Sequence, residues 1–168
     1  MDFKLLPVTD EDMAQFKRDM QEAFQKGAAD EITELDEEIL PEKDIDESLS
    51  KKGAFAYKAV EDGKMVGGAV VVIDAEKQHN HLDFLYVKCG VQSKGIGQKT
   101  WNEIERLYPD TRVWETCTPY FEKRNLHFYI NRLGFHAVEF YNPRHKDPHI
   151  SDDMLGGDYF FRFEKTMK

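Results

Sequence analysis

Two cysteines in 168 residues are too few for a disulfide framework in a chain of this size. Cys89 and Cys117 are therefore expected as reduced thiols, and a cytoplasmic setting follows as the expectation. Positive charge is also short, with 23 Lys and Arg against 32 Asp and Glu and a net charge of −9. Phosphate-backbone binding draws on surplus Lys and Arg, so this balance argues against nucleic acid as a partner. No apolar run approaches membrane-spanning length. The opening Met1-Asp2-Phe3-Lys4 carries no charged-then-apolar signal segment. With a membrane partner unexpected, what is present is a globular composition, 40% apolar and 12% aromatic. The length suits one domain over residues 1–168 with a real core.

The acid is unevenly placed. Asp30, Glu31, Glu34, Asp36, Glu37, Glu38, Glu42, Asp44, Asp46 and Glu47 stand against Lys43 alone. That window accounts for the whole net charge. It reads either as a solvated surface or as an electrostatic funnel for a cationic substrate.

Hydrophobic periodicity and turn residues predict an ordered series of elements. Phe3 to Val8 reads as a strand. Thr9 and Asp12 form a box-like helix start, and Met13, Phe16, Met20 and Phe24 share one face of that helix, which Gly27-Ala28-Ala29 is expected to end. Pro41 suits the first turn of a shorter helix carrying Ile45 and Leu49. Ala54 to Val60 and Lys64 to Asp74 form a hairpin through Asp62-Gly63, and Gly67-Gly68 predicts a bulge or a close backbone approach. A strand from His79 or His81 to Val87 follows, then a helix striped by Ile96, Trp101, Ile104 and Leu107 or Tyr108. Thr111 to Cys117 is a strand, Glu122 to Leu133 a helix stopped by Gly134, and Gly134 to Tyr141 a strand. A polar loop, Asn142 to Gly157, precedes a last strand, Tyr159 to Glu164. The order is β-α-α-β-β-β-α-β-α-β-β, implying a mixed sheet with helices on both faces.

Between the strand that ends at Val87 and the next helix lies Gln92-Ser93-Lys94-Gly95-Ile96-Gly97. A strand opening through a glycine-rich turn into a helix leaves backbone N–H groups unpaired and aligned with the positive end of the helix dipole. That array suits a phosphate or pyrophosphate. Gly95 and Gly97 are read as glycines because a side chain would hold the backbone away from the anion. Ile96 sits where a nucleoside-triphosphatase loop needs Lys, and Thr100 where the dinucleotide fingerprint needs its last Gly. The Gln/Arg-x-x-Gly-x-Gly/Ala pattern fits without exception. In that form the loop resembles the acetyl-CoA loop of the GNAT superfamily of N-acetyltransferases.

The element order resembles the GNAT fold over the whole chain, a mixed, mostly antiparallel sheet of about seven strands with helices on both faces. Asn125, Tyr129 and Gly134-Phe135 also resemble that family's late Asn…Tyr…Gly-Phe region. What the resemblance implies is acetyl transfer from acetyl-CoA, as cosubstrate, to a primary amine by direct attack. Backbone N–H groups from Gln92 through Ser93, Lys94, Gly95, Ile96 and Gly97 to Gln98 would grip the pyrophosphate. The edge of Leu85, Tyr86 and Val87 would pair with the pantetheine arm and polarise the thioester carbonyl. Asn125 would bond the pantetheine, with Phe128 beside it in the cofactor site. Tyr129 would protonate the departing thiolate. The resemblance further implies a base early on the loop-feeding strand. His81 stands there, and Asp83 shares its strand face.

Cys117 reads as a small buried residue rather than an acyl relay. His145 and His149 are four apart, but Pro148 lies between them, so no metal site is expected; that loop reads as substrate-facing. The acceptor is a small-molecule or peptide amine, the acidity pointing to a small cationic one, and a homodimer is left open. Two other readings stand beside transfer to a small amine. One is an acyl-CoA-binding sensor without turnover, and the other is a peptide or protein N-terminal acetyltransferase.

Overall fold

Seven strands form one sheet among the described residues of the computed structural model, which are 2–29, 39–91, 95–119, 126–146 and 159–167. The elements run β1 (Phe3–Pro7), α1 (Met13–Ala29), α2 (Glu42–Leu49), β2 (Ala54–Glu61), β3 (Lys64–Val72), β4 (His79–Val87), α3 (Ile96–Leu107), β5 (Val113–Pro119), a π-helix (Phe128–Arg132), β6 (His136–Tyr141) and β7 (Phe160–Thr166). The strands lie in the order β1-β2-β3-β4-β5-β7-β6. Only β4 and β5 pair in parallel; every other neighbour is antiparallel. The element order and the mixed, mostly antiparallel sheet are those expected from the sequence.

Two cores cover the two faces. On one, Phe16 and Met20 of α1 and Ile45 of α2 bury against Val70 and Tyr86. On the other, Trp101 and Ile104 of α3 pack with Trp114, Tyr129, Leu133, Phe135 and Phe163. Trp101 and Trp114 meet edge to face at 5.0 Å, a geometry that adds about 0.5–1.5 kcal/mol beyond burial. Val70 faces one core while Ala69 and Val71 face the other, the period-two alternation of a sheet covered on both sides.

Local expectations hold in most places and fail in instructive ones. Thr9 and Asp12 form a reciprocal box: Asp12 N–H donates to Thr9 Oγ1 (3.3 Å) and Thr9 N–H to Asp12 Oδ2 (3.2 Å). α1 ends at Ala29, within the Gly27-Ala28-Ala29 stop expected from the sequence. Gly67 and Gly68 are sites of close approach. A Cβ on Gly67 would stand 2.5 Å from the Tyr86 carbonyl oxygen, and one on Gly68 2.5 Å from the Phe16 ring. The helix expected over Glu122 to Leu133 is described from Leu126 onward, and there it is chiefly a π-helix, with Leu133 N–H reaching Phe128 O at 3.0 Å.

Candidate functional site

The site begins where two strands part. β4 and β5 pair only through His79–Val113, Asn80–Trp114 and His81–Glu115. Beyond that β4 stays bonded to β3 as far as Val87, while β5 stays bonded to β7, which it pairs from Val113 to Pro119. At the fork Thr116 Oγ1 donates to Leu82 O (2.8 Å). Past the fork, backbone groups of β4 alternate between β3 and the opening. Lys88 N–H donates to Val66 O and the Tyr86 carbonyl points at Gly67, so Tyr86 is committed to β3. By alternation Leu85 and Val87 turn their backbone N–H and C=O toward the gap. Within the edge read from sequence, these two residues hold the available groups.

A cleft of about 500 Å³ fills the gap. Its lining comes from both faces of the sheet: Phe24 and Lys26 of α1, Leu85 to Lys88 of β4, Gly97 and Gln98 of α3, and Phe128, Tyr129 and Arg132 of the π-helix. The cleft therefore lies along the edge of β4 that β5 has left, between α1, α3 and the π-helix.

At one end stands the N-terminus of α3. Gly95 is its N-cap at φ +75°, no side chain caps it, and no acidic residue occupies its first turn. Lys99 N–H is the amide that bonds back to Gly95 O; the earlier N–H groups of Ile96, Gly97 and Gln98 precede the intrahelical ladder. The two glycines differ in purpose. A Cβ on Gly95 would meet open space, and its left-handed φ is what asks for glycine. A Cβ on Gly97 would stand 2.8 Å from the Phe128 ring, so there glycine lets α3 pack against the π-helix. This packing role stands beside the reading of Gly97 as a clearance for an anion. Gln92, Ser93, Lys94 and Asn125 lie outside the described residues.

Tyr129 is 6% exposed and lines the cleft. Its ring packs between Phe128 (5.7 Å), Phe135 (5.8 Å) and Phe163 (5.9 Å). A π-turn at such a position widens the helix by one residue, a feature that recurs at functional sites. Sequence periodicity does not reveal it.

His81 and Asp83 lie on the α1–α2 face. Opposite Val70 and Val71, β4 carries one extra residue, Asp83, between Leu82 and Phe84. This bulge puts His81, Asp83, Phe84 and Tyr86 on one side. His81 Nδ1 lies 2.6 Å from Asp83 Oδ1. Asp83 Oδ2 accepts from Ser48 Oγ (2.5 Å) and Lys51 Nζ (3.0 Å). Burial opposes its charge, but the His81 contact, Ser48 and Lys51 outweigh burial and hold the carboxyl down at about 2. Asp83 is thus a fixed anion and a poor proton acceptor, whereas base chemistry would have required its pKa to be raised. Its contact instead orients the His81 ring. The far nitrogen, Nε2, lies 3.7 Å from Glu115 Oε2. Ser48, Lys51 and Glu115 had no signal in the sequence, because their proximity arises only from pairing and packing.

Glu115 belongs to a wider charged network on the same face. Its Oε1 accepts from Arg162 Nη1 (3.2 Å) and contacts His79 Nε2 (3.1 Å). Arg162 also donates to Glu164 and Glu139. His145, from the start of the long polar loop, bonds Glu139; residues 147–158, including His149, are outside the described set, as is the acidic stretch 30–38. No helix among the described residues is long and apolar enough to cross a membrane.

A helix N-terminus facing a split between two parallel strands is what the resemblance to the acetyltransferases implies, and the comparisons agree. The model of the acetyltransferase (GNAT) family matches residues 13–135; the chain belongs to this family, which moves acyl groups from acyl-CoA to amine acceptors. The uncharacterized protein YrkN of Bacillus subtilis (strain 168) is 46% identical over 165 residues, covering 94% of this chain and 89% of YrkN. Among solved structures, the PaiA N-acetyltransferase of Thermoplasma acidophilum in complex with coenzyme A superposes at TM-score 0.68 and 17% identity, covering 99% of this chain and 100% of that one. A GNAT family acetyltransferase of Elizabethkingia anophelis with acetyl-CoA bound gives 0.69 at 13% identity, covering 98% of each chain. The ribosomal-protein-S18-alanine N-acetyltransferase of Escherichia coli gives 0.68 at 11% identity, covering 99% of this chain and 95% of that one. At these identities the structural matches speak to the fold alone.

Proposed function

We propose that this protein transfers an acetyl group from acetyl-CoA to a primary amine by direct attack, with no covalent enzyme intermediate. The observation that carries the reading is the fork itself. β4 leaves β5 after His81, and the gap holds the backbone of Leu85 and Val87, the free end of α3 and the ring of Tyr129. N–H groups of Ile96, Gly97 and Gln98 grip the pyrophosphate, with Gln92 to Gly95 completing the loop. Lys88 and Arg132 line the same cleft and offer positive charge to the phosphates. Leu85 and Val87 pair with the amides of the pantetheine arm like an added strand. An N–H among them stabilises the oxyanion as the amine attacks. Asn125 bonds the arm, and Phe128 packs beside it. Tyr129 donates the proton to the leaving thiolate.

His81 Nε2 takes the proton from the incoming ammonium, and Asp83 keeps the ring turned for it. Four residues of strand separate His81 from Leu85, about 13 Å at the ordinary rise, so the proton travels through water. The same face as His81 carries Glu115, Glu139 and Glu164 around the guanidinium of Arg162, and Asp83 beside Lys51. That excess of carboxylate supports a small cationic amine as acceptor.

Tyr129→Phe tests the chemistry. Acetyl transfer should fall by about 10²–10⁴-fold while acetyl-CoA affinity, read by calorimetry, stays within twofold or so. Loss of affinity together with rate would mark Tyr129 as a packing residue. A wild-type protein that binds acetyl-CoA yet releases no thiol with any amine would favour a sensor role instead. Competition by short peptides against polyamine-like amines separates the small-amine acceptor from a protein N-terminus.

A further inference from the structure

The fork brings together three side chains that the sequence keeps apart. His81 and Glu115 are register partners across the parallel pair, and Cys117, two residues after Glu115, returns to the same face. A ring nitrogen, a carboxylate oxygen and the thiol sulfur all lie within 4.8 Å of one another, each on a half-buried residue. The orientation of the imidazole is already set. Nδ1 faces Asp83 Oδ1 at 2.6 Å, which turns Nε2 toward Glu115. Glu115 is similarly divided: Oε1 is held by Arg162 and His79, while Oε2 faces His81 at 3.7 Å, too long for a hydrogen bond.

A mixed nitrogen, oxygen and sulfur donor set suits a borderline-soft divalent cation of the zinc class. Tetrahedral zinc holds its ligand atoms about 3.4 Å apart, so small side-chain rotations close this trio. A second, independent observation points the same way. Metal-bound histidines hand their other ring N–H to a carboxylate, and Asp83 is in that position, itself anchored by Ser48 and Lys51. An ordinary surface ion pair has no need of that support.

We propose that His81 Nε2, Glu115 Oε2 and Cys117 Sγ form a binding site for Zn²⁺, with the fourth position open to the fork. The thiol releases its proton to solvent on binding. Because the metal takes the same lone pair that accepts the substrate proton, an occupied site turns acetyl transfer off. The binding half of this proposal stands independently of the transferase reading; the inhibitory half rests on it.

Cobalt(II) is the probe, since a cobalt–thiolate bond gives a near-ultraviolet charge-transfer band. One equivalent of Co²⁺ added to the reduced protein should produce that band together with tetrahedral visible absorption, and Zn²⁺ should displace it. Cys117→Ser should abolish the band and weaken Zn²⁺ binding by at least about tenfold, while Cys89→Ser leaves both unchanged. No thiolate band in the wild type overturns the site. So does a band that survives Cys117→Ser, or tight Zn²⁺ binding retained in that variant, which would move the metal to His79, Glu115 and Glu164. In transfer assays, Cys117→Ser should keep the wild-type rate and lose its sensitivity to Zn²⁺. Equal inhibition of both proteins would overturn the regulatory half. If no amine is ever acetylated, the cobalt band still decides the site, so the two readings fail separately.

Discussion

Gly95 and Gly97 stand two residues apart and are glycine for different reasons. Gly95 has a left-handed φ and open space around its Cβ position; Gly97 has an ordinary φ and the Phe128 ring 2.8 Å from that position. Gly95→Ala should therefore cost about 1–2 kcal/mol from backbone strain, and Gly95→Asn less, since Asn tolerates that conformation. Gly97→Ala should cost about 1–3 kcal/mol by overpacking, and Phe128→Leu in the same chain should recover part of it while doing nothing for Gly95→Ala. Urea unfolding of the singles and doubles measures this. A Phe128→Leu background that fails to relieve Gly97→Ala would show that the ring contact is not what selects glycine there. The same contact reaches the cleft, because Phe128 lines it. A substitution at Gly97 disturbs acyl-CoA binding through a displaced ring as well as through the loop, which makes it a poor probe of phosphate contacts.

At the scale of elements, β4 shows what a sequence reveals and what it withholds. Period-two alternation placed His81 and Asp83 on one face, and they touch. The bulge at Asp83 then brings Phe84 and Tyr86 to the same face, and no pattern within β4 announces it, because a bulge is a property of two strands in register. The π-turn at Phe128–Arg132 is hidden for a related reason: its apolar spacing differs from an α-helix by a single residue. The start of α1 was legible, since the Thr9–Asp12 box depends on neighbours three apart. It also makes a pH prediction. Bonding to Lys58, then to the Thr9 side chain and backbone, holds the Asp12 carboxyl down at about 2 against slight opposition from burial. A depressed carboxylate stabilises the fold above its unfolded pKa, and that stabilisation disappears as pH falls from about 4 toward 2. Asp12→Asn should therefore melt below the wild type near neutral pH, and the gap in Tm should shrink across that window. A gap unchanged at about pH 2 would show that Asp12 acts without its charge.

Over the whole molecule, the order of elements and the closing of seven strands into one sheet were readable because each strand and turn carries its own local signal. The fork was not readable in the same way. It depends on β5 leaving β4 after Glu115 while β7 holds its other edge from Val113 to Pro119, a matter of pairing between distant segments. That parting opens the sheet beside the N-terminus of α3 and Tyr129, while the carboxylates of Asp83, Glu115 and Glu164 stand near the last shared pair on the α1–α2 face. Under the proposed function, the two substrates would have separate approaches: a polyphosphate end toward Lys88, Arg132 and the α3 amides, and a cation toward Asp83, Glu115 and Glu164. The net charge is −9, yet Lys26, Lys88 and Arg132 line the cleft and offer positive charge there. The most direct test of this arrangement is a calorimetric titration of acetyl-CoA into the wild-type protein, with NAD and ATP as controls. Saturable micromolar binding of acetyl-CoA, with neither control competing, is the expected result. Folded protein that binds no acetyl-CoA would contradict the central claim and reduce the glycine turn to a structural one.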